Sequence, residues 1–237
     1  MIFPIAVLAG GLATRLRPIT EKIPKSLIEI NNIPFVLHQL NLFQQNGLNH
    51  VHFCLGYLGE MVKNVVDNSI FSKTMNITYS YDGVKLLGTG GAIKNALPFV
   101  ANEFFVTYGD SYLDINYKSI ETRFIESASD KSGLMSVYYN SDKFDTSNAI
   151  FENNKIVLYS KKQKTIHMKY IDYGLGILRK SHFQEYNIQT NFDLSDIYEK
   201  LALTGELIGY ESQKRFYEIG SLNGIKDLTK YLNTNQL

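Results

Sequence analysis

The chain has 237 residues, a formal net charge of +1 and one cysteine, Cys54. The balanced charge argues against nucleic acid or an anionic membrane as the main partner, and a single cysteine excludes an internal disulfide and fits a reducing compartment. Since the apolar start of the chain has no basic leader and is too short to span a membrane, we expect a cytoplasmic protein.

The first half of the chain alternates strand and helix patterns. Apolar or alternating runs predict strands at residues 5–9, 51–55, 76–81 and 104–108. Helices are predicted to begin at Pro34 and to cover residues 60–66. A glycine cluster at 88–91 is followed by a helix-like run that extends to Pro98. Strands and helices that alternate at this spacing predict a doubly wound, mostly parallel sheet.

The second half is richer in short strands. These are predicted at residues 134–139, 149–152, 155–159, 171–178, 207–210 and 216–219. Asn153 and Asn154 lie between two of them and are typical of a hairpin turn. Helices are predicted over 120–128 and 194–203, and a last helix begins after Ser221, whose hydroxyl can cap it.

The length of the chain allows one large α/β domain or two small ones. The pattern of predicted elements changes after Asp110, but no linker, repeat or low-complexity tract separates the two parts of the chain. We therefore predict a single domain, residues 1–237, in which a nucleotide-type half at 1–115 precedes a β-richer half at 116–237.

A strand that ends in two glycines opens the chain, and two cations follow it. The glycines are Gly10 and Gly11, and the cations are Arg15 and Lys25. Glycine lets backbone N–H groups approach an anion, arginine offers a fixed fork of donors, and lysine offers a movable point charge. A bare glycine pair is more often an ordinary turn, but together with the two cations it predicts a polyphosphate site.

A second glycine cluster, Gly-Thr-Gly-Gly-Ala-Ile at residues 88–93, is similar to a dinucleotide fingerprint. However, Ile93 stands where the third glycine belongs, and the cluster does not follow the first strand of the sheet. We interpret it instead as a place where backbone closely approaches a flat base or a ribose.

Charged residues late in the chain are further candidates. Asp110 follows a predicted strand, where a carboxylate beside a phosphate loop can hold Mg²⁺ shared with phosphate oxygens. Glu218 is a similar candidate, although either residue alone is more often a cap or a turn residue. Lys161, Lys162 and Lys164 form a basic run from which one lysine could reach a second phosphate.

At this point the motifs resemble those of the sugar-1-phosphate nucleotidylyltransferases. They are Leu-Ala-Gly-Gly-Leu-Ala-Thr-Arg-Leu-Arg-Pro at residues 8–18, Pro-Lys-Ser-Leu at 24–27, Leu-Gly-Thr-Gly-Gly-Ala at 87–92, Tyr-Gly-Asp at 108–110 and Glu-Ile-Gly-Ser at 218–221. The form of the glycine cluster and the short chain look most like bacterial heptose-1-phosphate guanylyltransferases, and next like muramic-acid-1-phosphate uridylyltransferases. The resemblance implies the nucleotide-diphospho-sugar transferase fold, with a Rossmann-like sheet and a smaller β-rich portion that binds the sugar.

The resemblance also implies roles for individual residues, with an NTP and a sugar 1-phosphate as substrates and Mg²⁺ as cofactor. The nucleotide-binding residues would be Leu8, Ala9, Gly10, Gly11, Thr14, Arg15, Gly88 and Gly90. The sugar phosphate would be held by Lys25, Gly91, Asn148, Lys161 and Asp172. The metal would be held by Asp110 and Glu218. Of these, Arg15, Lys25 and Asp110 are the expected catalytic residues.

The chain departs from the family pattern at two charged positions. Glu218 stands where members usually have aspartate, and Tyr159-Ser160 precedes Lys161 where members often have Glu-Lys. Two other functions remain open, cytidylyl transfer to phosphocholine or a similar phosphate, and a catalytically silent subunit that senses a nucleotide sugar. The sequence does not select the base (GTP or UTP), the sugar (heptose or hexose), the oligomeric state or the lysine that reaches the sugar phosphate.

Overall fold

The computed structural model describes residues 2–83, 86–129, 131–187 and 191–235. In these ranges no helix is long and apolar enough to cross a membrane. The strands of the first half are β1 (Ile5–Ala9), β2 (Glu29–Ile30), β3 (Ile33–Pro34), β4 (His50–Leu55), β5 (Asn76–Tyr81), β6 (Glu103–Tyr108) and β7 (Ser111–Tyr112). Those of the second half are β8 (Gly133–Tyr139), β9 (Ala149–Glu152), β10 (Lys155–Tyr159), β11 (Tyr170–Arg179), β12 (Leu207–Ser212) and β13 (Tyr217–Glu218).

Seven α-helices occur in the described residues. They are α1 (Phe35–Gln45), α2 (Gly59–Asp67), α3 (Phe71–Thr74), α4 (Gly88–Ala96), α5 (Tyr117–Ser127), α6 (Leu194–Leu203) and α7 (Leu222–Asn235). Short 3₁₀ turns cover Thr14–Leu16, Ile19–Glu21 and Lys25–Leu27, so the segment that carries both predicted cations is compact and turn-rich.

Nine strands form one continuous sheet in the order β5-β4-β1-β6-β11-β8-β12-β10-β9. Strands β5, β4, β1 and β6 are parallel, as the alternation of strands and helices predicts. Beyond β6 the sheet is mixed, because β11 is antiparallel to both of its main neighbours whereas β8 and β12 are parallel. The α/β class is therefore confirmed, with most of the parallel pairing in the first half.

Helices cover both faces of the sheet, and the central strand β1 is buried between them. Ile5 and Val7 belong to one apolar cluster, together with residues of α1, α2 and α5. Ala6 points to the opposite face, where it joins a cluster formed with α4 and α6. Burial on both faces explains why the first strand reads as a continuous apolar run. A third cluster packs α7 against α1 and the turn-rich segment after β1.

Three local predictions can be compared directly with the structure. The hairpin between β9 and β10 is confirmed, since Asn153 and Asn154 have φ angles of 49° and 62°, as a type I′ turn requires. The cap of α7 is also confirmed, because the Gly224 N–H donates to Ser221 Oγ at 3.0 Å. The glycine cluster does not precede a helix as expected. Helix α4 begins at Gly88, so the glycines form its first turn.

Candidate active site

The loop after β1 packs tightly against the loop after β4. A Cβ atom built on Gly56 would lie 2.6 Å from the carbonyl oxygen of Gly10, and one built on Gly10 would lie 3.1 Å from the Gly56 nitrogen. Gly11 is different, because its Cβ position faces open space with nothing within 4 Å. The first glycine is therefore required by close approach of two backbones, whereas the second leaves the loop open on the side of a ligand.

A cavity of about 240 Å³ lies at the carboxyl ends of β1 and β6. Ligands of open α/β sheets bind at this kind of edge. Among its lining residues are five of the predicted nucleotide-binding residues, Leu8, Ala9, Gly10, Gly11 and Gly88. Leu86 and Ala92 add apolar walls, and Thr89 and Asp82 add polar groups. We call this the first cavity.

A larger and more polar space of about 730 Å³ adjoins it, and we call it the second cavity. It is lined by three of the predicted sugar-phosphate residues other than Lys25, namely Asn148, Lys161 and Asp172, and also by Glu218. Thr14 and Arg15 line the second cavity and not the first. The predicted nucleotide-binding residues are therefore divided between the two cavities.

The two cavities meet at a shared wall. Ala13, Lys25, Tyr108 and Asp110 line both of them. Lys25 Nζ lies 2.7 Å from Asp110 Oδ2, and the two side chains are 23% and 28% exposed. A cation and a carboxylate thus lie together in the wall that the two cavities share.

Hydrogen bonds from three other parts of the chain fix the backbone around Asp110. The amide nitrogen of Gln39, which is 1% exposed, donates to the carbonyl oxygens of Tyr108 and Ser111, each at 2.9 Å. The Gly109 N–H donates to the Leu8 oxygen at 2.8 Å. The Ile219 N–H donates to the Asp110 oxygen at 3.0 Å. The position of this carboxylate therefore depends on a helix, on β1 and on the segment after β13.

Glu218 lies close to Asp110 because β13 pairs with β7, where Glu218 is opposite Ser111. Burial raises the pKa of the Glu218 carboxyl, and the negative charge of Asp110 raises it further. Two carboxylates at one edge are hard oxygen donors of the kind that Mg²⁺ prefers. In the described part of the chain, no group of three or more His, Cys, Asp or Glu residues could hold a metal. By the chemistry of their oxygens, Asp110 and Glu218 could hold Mg²⁺, whose other ligands would have to come from phosphate or water.

Asp172 is fixed by its neighbours in the second cavity. Its Oδ1 accepts the Gly174 N–H at 2.9 Å, and the Tyr159 hydroxyl lies 3.4 Å from its Oδ2. The backbone N–H of Asp172 donates to Asn148 Oδ1 at 2.9 Å. Burial raises the pKa of the Asp172 carboxyl, although Lys161 opposes this effect. Asn148 thus uses its amide oxygen to position Asp172, and within the described residues its amide nitrogen has no hydrogen-bond acceptor.

The three lysines of the basic run differ in their partners. Lys162 Nζ lies 3.1 Å from Asp196 Oδ1, and Lys164 Nζ lies 2.7 Å from Asp142 Oδ2. Lys161 Nζ is 5.7 Å from the centre of the Tyr108 ring, and its carboxylate neighbour Asp193 is 3.9 Å away. Asp193 already accepts the Ser195 N–H as the cap of α6. Of these three lysines, Lys161 thus lies over Tyr108 of the shared wall and has the longest ion-pair distance.

Two of the predicted binding glycines lie outside both cavities. Gly90 and Gly91 are buried in the first turn of α4 and line neither cavity. The Gly90 N–H donates to the Phe192 oxygen at 3.0 Å, and a Cβ on Gly90 would lie 2.3 Å from the Phe192 ring. At Gly90 the missing Cβ therefore allows the Phe192 ring to pack against α4. Contact of Gly90 with nucleotide and of Gly91 with sugar phosphate remains a prediction.

Three residues of the site were not singled out from the sequence. Asp82 and Tyr108 lie at the carboxyl ends of β5 and β6 and line the first cavity. The signal that identified Asp110, a polar residue at the end of a predicted strand, also applies to both of them. Gln39 carries a weaker signal, a polar residue placed within the apolar stripe of a predicted helix.

Residues 5–147 match the model of the nucleotidyl transferase family. The chain belongs to this family, and the enzyme class expected from its motifs, a nucleotidyltransferase, is confirmed.

Relatives and a solved structure extend the likeness over most of the chain. A D-glycero-alpha-D-manno-heptose 1-phosphate guanylyltransferase of Campylobacter jejuni is 28% identical over 200 residues, which are 82% of this chain and 86% of the relative. A protein of the same name from Aneurinibacillus thermoaerophilus is 26% identical over 217 residues, which are 90% of this chain and 91% of that relative. HddC from Yersinia pseudotuberculosis, complexed with GMP-PN, has the same fold, with a TM-score of 0.79, 24% identity and coverage of 98% and 100%.

Proposed function

We propose that the protein transfers a guanylyl group from GTP to a heptose or hexose 1-phosphate, giving a GDP-sugar and pyrophosphate. The observation that carries the proposal is the pair of adjacent cavities that share Lys25 and Asp110. A transferase with two anionic substrates needs two pockets that meet at a positive charge. The names of the two bacterial relatives, both guanylyltransferases acting on a heptose 1-phosphate, favour GTP over UTP.

Each cavity has the chemistry of one substrate. The first cavity has the apolar walls that suit a flat base, and backbone of the loop after β1 can face the ribose and phosphates. The second cavity has carboxylate, amide and ammonium groups, which suit sugar hydroxyls and a phosphate. Asn148 and Asp172 would bind the sugar, and Lys161 would bind its phosphate.

The chemical step is a direct in-line displacement. An oxygen of the sugar phosphate forms a bond to the α-phosphorus of GTP, the bond from that phosphorus to the β-phosphate oxygen breaks, and pyrophosphate leaves with the electron pair. A phosphate monoester is already ionised near neutral pH, so no general base is needed. Catalysis then depends on positioning and on neutralising charge. Lys25 would contact both phosphates at the shared wall, and Arg15 would hold the leaving pyrophosphate.

Asp110 and Glu218 would hold Mg²⁺ at the same place. When bound, the metal would neutralise phosphate charge at the reacting centre. The contribution of the chain is the fixed position of Asp110, set by Gln39, Leu8 and Ile219, and the ion pair that keeps the Lys25 ammonium beside it.

A matrix of nucleotides and acceptors tests the proposal. The purified protein is incubated with Mg²⁺, each of GTP, UTP, CTP and ATP, and each of a set of heptose and hexose 1-phosphates and phosphocholine, and pyrophosphate is measured. We expect release with GTP and at least one sugar 1-phosphate. Release only with CTP and phosphocholine, or nucleotide binding without release for any pair, would overturn the proposal.

A further inference from the structure

The loop between β8 and β9, residues 140–148, forms one wall of the second cavity. Four consecutive residues of this loop line the cavity, namely Asp145, Thr146, Ser147 and Asn148. The end of the loop is attached to the sheet, since the Asn148 N–H donates to the Tyr170 oxygen of β11 at 2.9 Å. The shape of the rest of this wall depends on what holds the residues before Asn148.

Hydrogen bonds within the loop make it a compact unit. The Asn140 side chain, which is 2% exposed, donates from Nδ2 to the Asp145 oxygen at 2.6 Å and to Ser147 Oγ at 3.0 Å. Its Oδ1 accepts the Phe144 N–H at 3.1 Å. The Ser147 N–H donates to Asp142 Oδ1 at 2.8 Å. A contact that holds Phe144 therefore also holds the neighbouring residues that line the cavity.

Arg215 makes such a contact with Phe144. Its guanidinium carbon Cζ lies 4.1 Å from the centre of the Phe144 ring and 4.9 Å from the centre of the Tyr217 ring. Its Nη2 lies 2.6 Å from Asp227 Oδ2 on α7, a helix whose apolar face packs against α1. A flat guanidinium can stack on a ring through its face and pair with a carboxylate through its edge. Arg215 thus connects the loop to a helix that is fixed in the core.

Aromatic rings extend this contact into the second cavity. The Phe144 and Phe216 rings meet with centres 6.0 Å apart at 77°, and the Phe216 and Tyr173 rings with centres 6.1 Å apart at 86°. Edge-to-face pairs of this kind favour one mutual orientation. Phe216 and Tyr173 both line the second cavity, so the ring that Arg215 holds also supports two rings of the cavity wall.

We propose that Arg215 is a positioning residue for the sugar phosphate, because through Phe144 it holds the 140–148 loop where the loop completes the second cavity. This inference rests on the proposed function, which assigns the second cavity to the acceptor. Arg215 lines neither cavity, so it acts on the acceptor without touching it. A wall that is already ordered costs less entropy on binding than one that the ligand must order. No residue of the loop lines the first cavity, so GTP binding is independent of Arg215.

Substitutions on both sides of the contact test the proposal by steady-state kinetics of the whole chain. Arg215→Met removes the flat charged group and keeps much of the length of the side chain. We expect the KM for the sugar 1-phosphate to rise about tenfold, while the KM for GTP stays unchanged. Phe144→Leu removes the ring and should have the same effect. Arg215→Lys keeps the charge beside Asp227 but lacks the flat face, so the same KM should rise less.

A double variant and a control make the test specific. Arg215→Met combined with Phe144→Leu should raise the KM for the sugar 1-phosphate no further than the stronger single variant, because both interrupt one contact. Lys214→Met changes the neighbouring lysine, which is 63% exposed and lies 2.9 Å from Asp114. This control should leave the KM for either substrate unchanged.

Hydrogen exchange reports on the loop without any substrate. The N–H groups of Phe144 and Ser147 are bonded within the loop. In Arg215→Met their exchange should accelerate by about tenfold or more, whereas exchange in β1 and β4 keeps its wild-type rate. A residue that merely stabilised the fold would accelerate exchange throughout the sheet and leave the KM for the sugar 1-phosphate unchanged.

The outcomes separate this inference from the proposed function. With an active wild type, an unchanged KM for the sugar 1-phosphate in Arg215→Met, an equal rise for GTP, or additive effects of the two single variants would overturn the role of Arg215 alone. Absence of pyrophosphate release by the wild type with every pair of substrates would overturn the proposed function. Exchange then decides whether Arg215 anchors the loop, and wild-type rates at Phe144 and Ser147 in Arg215→Met would overturn that as well.

Discussion

Lys25 Nζ and Asp110 Oδ2 lie 2.7 Å apart although the residues are separated by 85 positions in the chain. The pair forms the wall between the two cavities, and each side chain remains about one quarter exposed. A pair with this much access to water adds only about 0–1 kcal/mol to stability. Its importance must then lie in the placement of a cation and an anion where both substrates would meet.

Lys25→Met should lower turnover by about 100-fold or more, since it removes one charge contact made in the transition state. Methionine keeps most of the length of the side chain, so packing changes little. Pyrophosphate release with Mg²⁺ and saturating substrates measures the effect. Lys22→Met, which changes an exposed lysine in the same segment, is the control and should retain wild-type turnover. Turnover of Lys25→Met close to wild type would exclude the proposed role.

Much of the fold could be predicted because the pattern of the sequence is local. The continuous apolar run at β1 follows from burial on both faces of the sheet. Asn153 and Asn154 form the turn because a tight hairpin needs positive φ angles. The antiparallel insertion of β11 between β6 and β8 could not be predicted, because it depends on pairings between residues far apart in the chain.

The same limit applies to the site. Lys25 and Asp110 could be identified from a loop and from the end of a strand, both of which are local signals. The burial of Gly90 could not, because it depends on Phe192, which lies far along the chain. The different ion pairs of Lys161 and Lys162 could not be predicted either. Their partners, Asp193 before α6 and Asp196 within it, come near the basic run only when the chain folds.

Lys161 should determine affinity for the sugar phosphate, whereas Lys162 should not. Lys161→Met is expected to raise the KM for the sugar 1-phosphate by about tenfold or more, because a charge-assisted hydrogen bond is lost. Lys162→Met removes an exposed ion pair with Asp196, worth about 0–1 kcal/mol, and should leave this KM nearly unchanged. Steady-state kinetics with varied sugar phosphate measures both. Equal effects of the two substitutions would contradict the assignment.

Gln39 should act as a positioning residue for Asp110. Gln39→Met keeps the volume of the side chain but removes both hydrogen bonds to the Tyr108 and Ser111 carbonyls. We expect a loss of about 1–3 kcal/mol in the free energy of unfolding, since buried acceptors lose their donor. Because the loop that carries Asp110 would loosen, turnover should fall while the KM for GTP changes little. Urea denaturation and kinetics test this, and a destabilised variant with full turnover would show a purely structural role.

Glu218 should set the concentration of Mg²⁺ that the enzyme needs. Glu218→Gln keeps the size of the side chain and removes its charge, so the half-saturating Mg²⁺ concentration should rise by about tenfold or more. Titrating activity with Mg²⁺ at saturating substrates measures it, and Glu126→Gln serves as the control, because that acid lies exposed on α5. An unchanged Mg²⁺ curve for Glu218→Gln would mean that this carboxylate does not bind the metal.

His52 should make the protein sensitive to mild acid. Its ring is fully buried between Thr78 Oγ1 at 2.8 Å and Ser80 Oγ at 2.9 Å. Burial, and to a lesser extent His50, lowers its pKa from 6.5 to about 4. The unfolded chain therefore takes up a proton at a higher pH than the folded protein does. Stability is fully present above about pH 6.5 and is lost as the pH falls towards about 4.

The size of this effect follows from the two pKa values of His52. As the pH falls from about 7 to 5, protonation of His52 in the unfolded chain lowers the free energy of unfolding by about 2 kcal/mol. His52→Gln should be less stable than the wild type at neutral pH, because the paired hydrogen bonds to β5 are disturbed. However, its stability should fall by about 2 kcal/mol less over the same interval. Urea denaturation of both proteins across this range isolates His52, since every other titrating group is common to the two. Parallel pH profiles would show that the pKa of His52 is the same in the folded protein and in the unfolded chain, and would contradict this prediction.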